Sequence, residues 1–210
     1  MPIKSQLLIF TRYPEPGSTK TRLIGELGAD KAAELHKKLT ERLVNEARQL
    51  EKYTKIPAVI HYCGGSREKI ISWLGPMVPV KQTEGDLGAR MAAAFTHAFS
   101  GGVGAAILVG TDIPDISVRL LGQAFSALQQ GEVVIGPSCD GGYYLIGLRV
   151  EQAPELLPLF FTEMRWSSSD LFKITMDRLA EAGYEATILP TLRDIDLPDD
   201  LPFARSKGLL

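Results

Sequence analysis

Strand-length apolar runs separated by helical patterns constrain this chain more than any other feature. Residues 6–11 (QLLIFT), 58–63 (AVIHYC) and 105–109 (AAILV) are almost unbroken in their apolar content, as strands buried on both faces are. Between the first two, Leu35, Leu39, Leu43, Ala47 and Leu50 recur at the spacing of one helix face, with Asp30 as a plausible N-cap. A short helix over 67–74 and a strand over 78–82 follow. Leu87, Met91, Phe95 and Ala98 then line another helix face, and Leu120, Leu121, Ala124, Phe125 and Leu128 a third. Further strands are expected at 133–136, 143–148 and 186–189. A helix over 169–182 would begin within Ser167, Ser168, Ser169 and Asp170. Such alternation predicts an α/β fold with a mostly parallel sheet covered on both faces. No repeat, low-complexity tract or linker interrupts it, so residues 1–210 read as one domain.

Composition narrows the function classes. Lys and Arg number 23 against 25 Asp and Glu, a net charge of −2, whereas domains that grip nucleic acid carry a basic excess. No run approaches the roughly 18 apolar residues of a membrane span, and residues 1–12 lack the pattern of a signal peptide. Cys63 and Cys139, with only three histidines besides, form neither a disulfide framework nor zinc-ligand spacing. These features predict a soluble cytoplasmic protein without nucleic-acid or membrane partners.

In parallel α/β sheets ligands sit beyond the carboxyl ends of the strands, so the loops after strands hold the candidate chemistry. The loop after the first strand, RYPEPGSTKTRL at 12–23, is kept from helix by two prolines and a glycine. It carries Arg12, Lys20 and Arg22 with hydroxyls at Ser18, Thr19 and Thr21, a set able to cradle phosphate. It is not a Walker A loop, because two residues separate Gly17 from Lys20. A solvated basic turn is the alternative.

Asp112 directly follows the AAILV strand in VGTDIPD. A carboxylate there calls for a cation such as Mg²⁺, or else caps the next helix; Asp115 or Ser117 is available for that job, and Asp115 is the expected cap. Asp140-Gly141-Gly142 suits a hairpin turn, and its glycines also admit a ligand close to backbone. Asp194 and Asp196, two apart in an acidic tail, point the same way in extended chain and can face one cation; a charged surface tail is the alternative. Two carboxylates about 4 Å apart repel by roughly 4 kcal/mol at an effective dielectric near 20. Bringing Asp112 and Asp196 together therefore needs a cation or a proton.

Taken together, IFTRYPEPGSTKTRL at 9–23, QTEGDLGARMAAAF at 82–95, GTDIPDI at 110–116, PSCDGGYYLIGL at 137–148, MRWSSSDLF at 164–172 and DIDLPDDL at 194–201 resemble the GT-A superfamily of nucleotide-diphospho-sugar transferases. Within it the chain resembles the radical-SAM/selenodomain-associated transferases. The resemblance implies a three-layer α/β/α Rossmann-like GT-A fold and a nucleotide pocket on the first loop, with Arg12, Gly17, Lys20 and Arg22 as its ligands. It implies Mg²⁺ or Mn²⁺ on Asp112, a second metal carboxylate in Asp196, and Gln82, Gly85 and Asp86 near the nucleotide. Asp140, Gly141 and Gly142 would lie near the second substrate. The central motif lacks a full Asp-X-Asp, a departure from the sugar-transferring pattern.

Two reactions compete within that resemblance. In glycosyl transfer the metal on Asp112 neutralises a departing nucleoside diphosphate, and Asp140 is the base for a small-molecule acceptor hydroxyl. In nucleotidylyl transfer a phosphate-bearing substrate attacks a nucleoside triphosphate, and Lys20 and Arg22 stabilise the leaving pyrophosphate. The segments around Lys20 and Asp196 are similar to 2-phospho-L-lactate guanylyltransferases, which points to the second; the whole-chain resemblance carries the glycosyl-transferring label, and the first is the expectation. A third reading is a nucleotide-binding protein without turnover. Trp166 and Met164 are expected to pack rather than line an acceptor pocket, and His36, His61 and His97 to serve structure or surface.

Overall fold

A computed structural model describes residues 3–166 and 168–210; Ser167, one of the expected helix-start residues, lies outside them. In chain order come β1 (Ser5–Arg12), α1 (Ile24–Leu27), α2 (Ala29–Thr54), β2 (Ala58–Cys63), α3 (Arg67–Leu74), β3 (Val78–Lys81), α4 (Leu87–Ser100) and β4 (Ala105–Gly110). Then follow α5 (Val118–Gln130), β5 (Val133–Pro137), β6 (Tyr143–Arg149), α6 (Ala153–Phe161), α7 (Leu171–Glu181), β7 (Ala186–Ile188) and α8 (Leu201–Ser206). One seven-stranded sheet results, in the order β3-β2-β1-β4-β6-β5-β7. Only β6 runs against its neighbours β4 and β5, since the short turn after β5 permits nothing but a hairpin.

Alternation along the strands builds three layers. Leu7 and Ile9 of β1, with Ile107 and Val109 of β4, face a core formed with α2, α3 and α5. Leu8 and Phe10, with Ala106 and Leu108, face the opposite core under α4, α6 and α7. A third cluster joins Leu23 and the α2 residues Leu35 and Leu39 to Ile195, Leu201 and Ala204 of the tail. That packing draws the acidic tail back across the sheet edge.

Local details correct three expectations. Gly28 caps α2, and Asp30 lies in its first turn, where a carboxylate suits the helix dipole. Ser117, not Asp115, caps α5 by accepting from Leu120 N–H, and Asp115 instead pairs with Lys207 at 2.6 Å. The helix α6 went unforeseen, because APELLPLFF carries an internal Pro158 and too many apolar residues to show a helical stripe.

Candidate functional site

β1 and β4 are parallel neighbours in register, Phe10 opposite Gly110. β2 and β3 continue from β1 on one side, while β4 begins the other half of the sheet. Here the strand order reverses, the position where open α/β sheets hold ligands. The loops leaving β1 and β4 therefore flank one crevice. The tail enters as a third wall: Ile195 N–H donates to the Asp112 carbonyl at 3.0 Å, which sets Asp196 beside the loop after β4.

Lys20 sits where these three segments meet. Its backbone is left-handed, φ 49° and ψ 45°, a conformation that costs a non-glycine residue about 1–3 kcal/mol. The side chain, only 4% exposed, brings Nζ to 2.6 Å from Asp112 Oδ1 and 2.7 Å from Asp196 Oδ1. It also donates to the Ile195 carbonyl at 2.6 Å. Three oxygens thus surround the ammonium, Asp196 Oδ1 and the Ile195 carbonyl as hydrogen-bond acceptors and Asp112 Oδ1 as an ion-pair partner. The cation expected between Asp112 and Asp196 is, in this structure, Lys20 itself. As a phosphate ligand Lys20 must first give up one of these partners.

The electrostatics follow. Burial opposes charge on Lys20, but the Asp112 and Asp196 carboxylates outweigh it and hold the ammonium's pKa above its ordinary value. Burial also opposes charge on Asp112; the Lys20 ammonium and His36 overcome it and hold the carboxyl well below the usual range. Both acids remain reachable, with side chains 43% and 36% exposed. The Asp112 Oδ1 atom is nonetheless buried with no donor in hydrogen-bonding alignment. That oxygen and the Asp196 carboxylate suit a hard divalent cation. Among the described residues no group of three or more acidic, His or Cys side chains completes a protein cage, so such an ion would take its remaining ligands from water and phosphate, as Mg²⁺ commonly does.

A cleft of about 430 Å³ opens over this triad, lined by Arg12, Ser18, Thr19, Lys20, Thr21, Arg22, His36, Gln82, Arg90, Asp112 and Asp196 among others. Arg22 reaches to 3.9 Å from Asp196. Gln82 acts chiefly as a brace: its amide donates to the His61 carbonyl at 2.9 Å, and its Oε1 accepts from Arg90 at 3.0 Å. Gly17, Gly85 and Asp86 do not line the cleft. Gly17 and Gly85 take positive φ in their turns, and Asp86 caps α4 through Ala89 N–H at 2.8 Å.

Two cleft residues escaped the sequence reading. Arg90 lies four residues after Asp86, one helical turn further on. His36 neighbours Leu35 on the buried side of α2 and looked structural; its Nε2 donates to the Arg12 carbonyl at 3.0 Å, while Nδ1 stands 3.8 Å from Asp112 Oδ1. Asp194 does not share the cation with Asp196. Burial, then the Asp140 charge, pushes its carboxyl up to about 6.

A second hollow adjoins the first, and Asp140, Gly142, Tyr143 and Trp166 are among its walls. Asp140 Oδ1 accepts from Gly142 N–H at 2.9 Å and from the Ser138 hydroxyl. Gly141, at φ 88°, instead abuts Ser169, whose carbonyl oxygen would lie 1.9 Å from an added Cβ. Met164 is buried, and Trp166 stacks on Phe161 with ring centroids 6.3 Å apart. Trp166 therefore both packs and lines the hollow.

Comparison with known proteins returns the same architecture. A protein from Desulfovibrio desulfuricans G20, provisionally described as a nucleotide-diphospho-sugar transferase, is 36% identical, with 93% of this chain and 84% of that chain covered and a TM-score of 0.84. CMP:2-keto-3-deoxy-manno-octonic acid synthetase, solved with CTP, is 10% identical, with 97% of both chains covered and a TM-score of 0.61. Rv0371C from Mycobacterium tuberculosis H37Rv, solved with manganese, is 12% identical, with coverages of 96% and 97% and a TM-score of 0.54. The last two share the fold alone. No curated protein matches the sequence. Residues 41–168 match the model of the family described as "Uncharacterized protein conserved in bacteria" (DUF2064). By that match, which covers more than half of its length, the chain belongs to the DUF2064 family.

Proposed function

We propose that this chain is a nucleotide-donor transferase that works with Mg²⁺ or Mn²⁺ and moves a glycosyl group from a nucleotide-diphosphate sugar to a small-molecule acceptor. The observation that carries it is the Lys20–Asp112–Asp196 triad on the floor of a cleft rimmed by Arg12, Arg22 and Arg90. Acidic groups for one cation and basic groups for phosphates converge there. The name given to the 36%-identical Desulfovibrio protein supports the donor class. Residues 1–210 act as one domain of the GT-A type, among the radical-SAM/selenodomain-associated transferases, in the cytoplasm where nucleotide donors are made.

In this reading Arg12, Arg22 and Arg90 bind and orient the donor's phosphates. A divalent ion held by Asp112 and Asp196 would supply Lewis-acid neutralisation of the diphosphate. Lys20, released from one carboxylate, stabilises charge gathering on the leaving group. Asp140, with Oδ1 held by Gly142 and Ser138, takes the acceptor's proton through Oδ2. Nucleotidylyl transfer is the second reading, favoured by the similarity of the Lys20 loop to guanylyltransferases and by a fold shared with a CTP-binding synthetase.

Incubation with Mg²⁺, a panel of nucleotide sugars and nucleoside triphosphates, and candidate acceptors separates the readings. Acceptor-dependent nucleoside diphosphate release supports glycosyl transfer, and pyrophosphate release supports nucleotidylyl transfer. Tight binding with neither product supports a silent nucleotide-binding protein.

A further inference from the structure

The second hollow, about 310 Å³, shares Phe10, Leu87, Thr111 and Asp112 with the polar cleft. A substrate in it therefore meets the donor at Asp112. The two spaces differ sharply in charge. Arg12, Lys20, Arg22, His36 and Arg90 line the first. Among the described residues no Lys, Arg or His lines the second, whose only ionised side chains are Asp112 and Asp140. Lys20, the cation nearest the seam, already has three oxygen partners. In the donor complex the divalent ion on Asp112 and the released Lys20 are both taken up by the donor's phosphates, so a phosphate or carboxylate entering the hollow would lose water beside Asp140 with no cation left to replace it.

The rest of the wall is hydrocarbon and aromatic, from Met91, Leu108, Leu145 and Trp166. Tyr143 and Trp166 present their rings to the hollow and keep their polar atoms buried, the Tyr143 hydroxyl beside Thr175. A wall of this kind suits the apolar body of a neutral substrate.

From this we infer that the second substrate is an uncharged alcohol with an apolar body, and not a phosphate- or carboxylate-bearing acceptor. Its hydroxyl lies at the seam between Asp112 and Asp140, and its apolar face rests on Met91, Leu108 and Trp166. The inference builds on the nucleotide-sugar reading of the polar cleft. In the step it implies, the hydroxyl oxygen forms a bond to the anomeric carbon of the donor. The bond from that carbon to the terminal phosphate oxygen breaks, and its electron pair leaves with the nucleoside diphosphate. The hydroxyl proton passes to Asp140 Oδ2.

The test uses a matched pair of probes, 3-phenyl-1-propanol and its phosphate monoester, with the full chain and Mg²⁺. Binding is followed by saturation-transfer NMR, with and without a panel of nucleoside diphosphates. The alcohol is expected to bind at least tenfold more tightly than the ester. Ser168→Lys should narrow the gap between the probes while leaving nucleoside diphosphate affinity unchanged. An ester that binds as well as the alcohol, or an alcohol that does not bind, overturns the inference. Failure of every nucleoside diphosphate to bind, with the alcohol still preferred, overturns the donor reading and leaves this inference standing.

Discussion

Lys20 Nζ lies 2.6 Å from Asp112 Oδ1, across the seam between the loops that leave β1 and β4. The same ammonium holds Asp196 at 2.7 Å, so one side chain neutralises two acids separated from it by 92 and 176 residues. The two acids also form the site proposed for a divalent ion. A lysine in this position is an internal competitor of that ion as well as a phosphate ligand in waiting.

Replacing Lys20 with Met should therefore act in two directions. With the ammonium gone, Asp112 and Asp196 repel across a half-exposed gap, and stability should fall by about 1–2 kcal/mol in the absence of metal. Millimolar Mg²⁺ should restore most of the loss by mass action. Urea titrations of both proteins with and without MgCl₂ measure this, and an unrescued loss of the same size would assign Lys20 to packing alone.

His61 gives the fold its own acid sensitivity. It is 2% exposed, and burial, with His97 nearby, lowers its pKa from the ordinary value to about 4. The native state keeps the imidazole neutral, while the unfolded chain takes up a proton near pH 6.5. Stability present above pH 6.5 should therefore decline as the pH falls towards 4, by on the order of 3 kcal/mol from this residue. His61→Gln should flatten that part of the profile relative to the parent protein. Parallel slopes in denaturant titrations at pH 7 and pH 5 would remove His61 as the cause.

Gly141 is required by close approach. Its φ is 88°, and an added Cβ would stand 1.9 Å from the Ser169 carbonyl oxygen. Gly141→Ala should destabilise the protein by about 2–4 kcal/mol and displace the start of α7, whose Phe172 N–H donates to the Gly141 carbonyl at 2.8 Å. A midpoint within 0.5 kcal/mol of the parent's, on the scale of ordinary surface substitutions, would contradict this.

The sheet was legible because buried parallel strands need unbroken apolar runs, and β2, Ala58–Cys63, coincides with its expected span. The helices α6 and α8 were not, one lacking polar residues to reveal a stripe and the other only Leu201–Ser206 in length. Lys20, Asp112 and Asp196 could be chosen as polar residues at strand ends or in the tail. That Lys20 bridges the other two could not, because only the strand order and the Ile195–Asp112 backbone bond bring them together. His36 was hidden by its position beside the apolar stripe of α2, where a satisfied core histidine and a cleft residue look alike in sequence. Trp166 was expected only to pack, and that it also walls the second hollow follows from the fold around it.

The most direct test is calorimetric titration of a nucleotide and nucleotide-sugar panel into the parent protein and Asp112→Asn, with and without Mg²⁺. The neutral amide keeps the shape of the carboxylate and removes its charge. At least one ligand is expected to bind ten- to a hundredfold more tightly with Mg²⁺, and Asp112→Asn should abolish that enhancement while the fold persists. Affinity that ignores Mg²⁺, or an enhancement that survives in Asp112→Asn, would contradict a metal-bound polyphosphate held between Lys20, Arg22, Asp112 and Asp196.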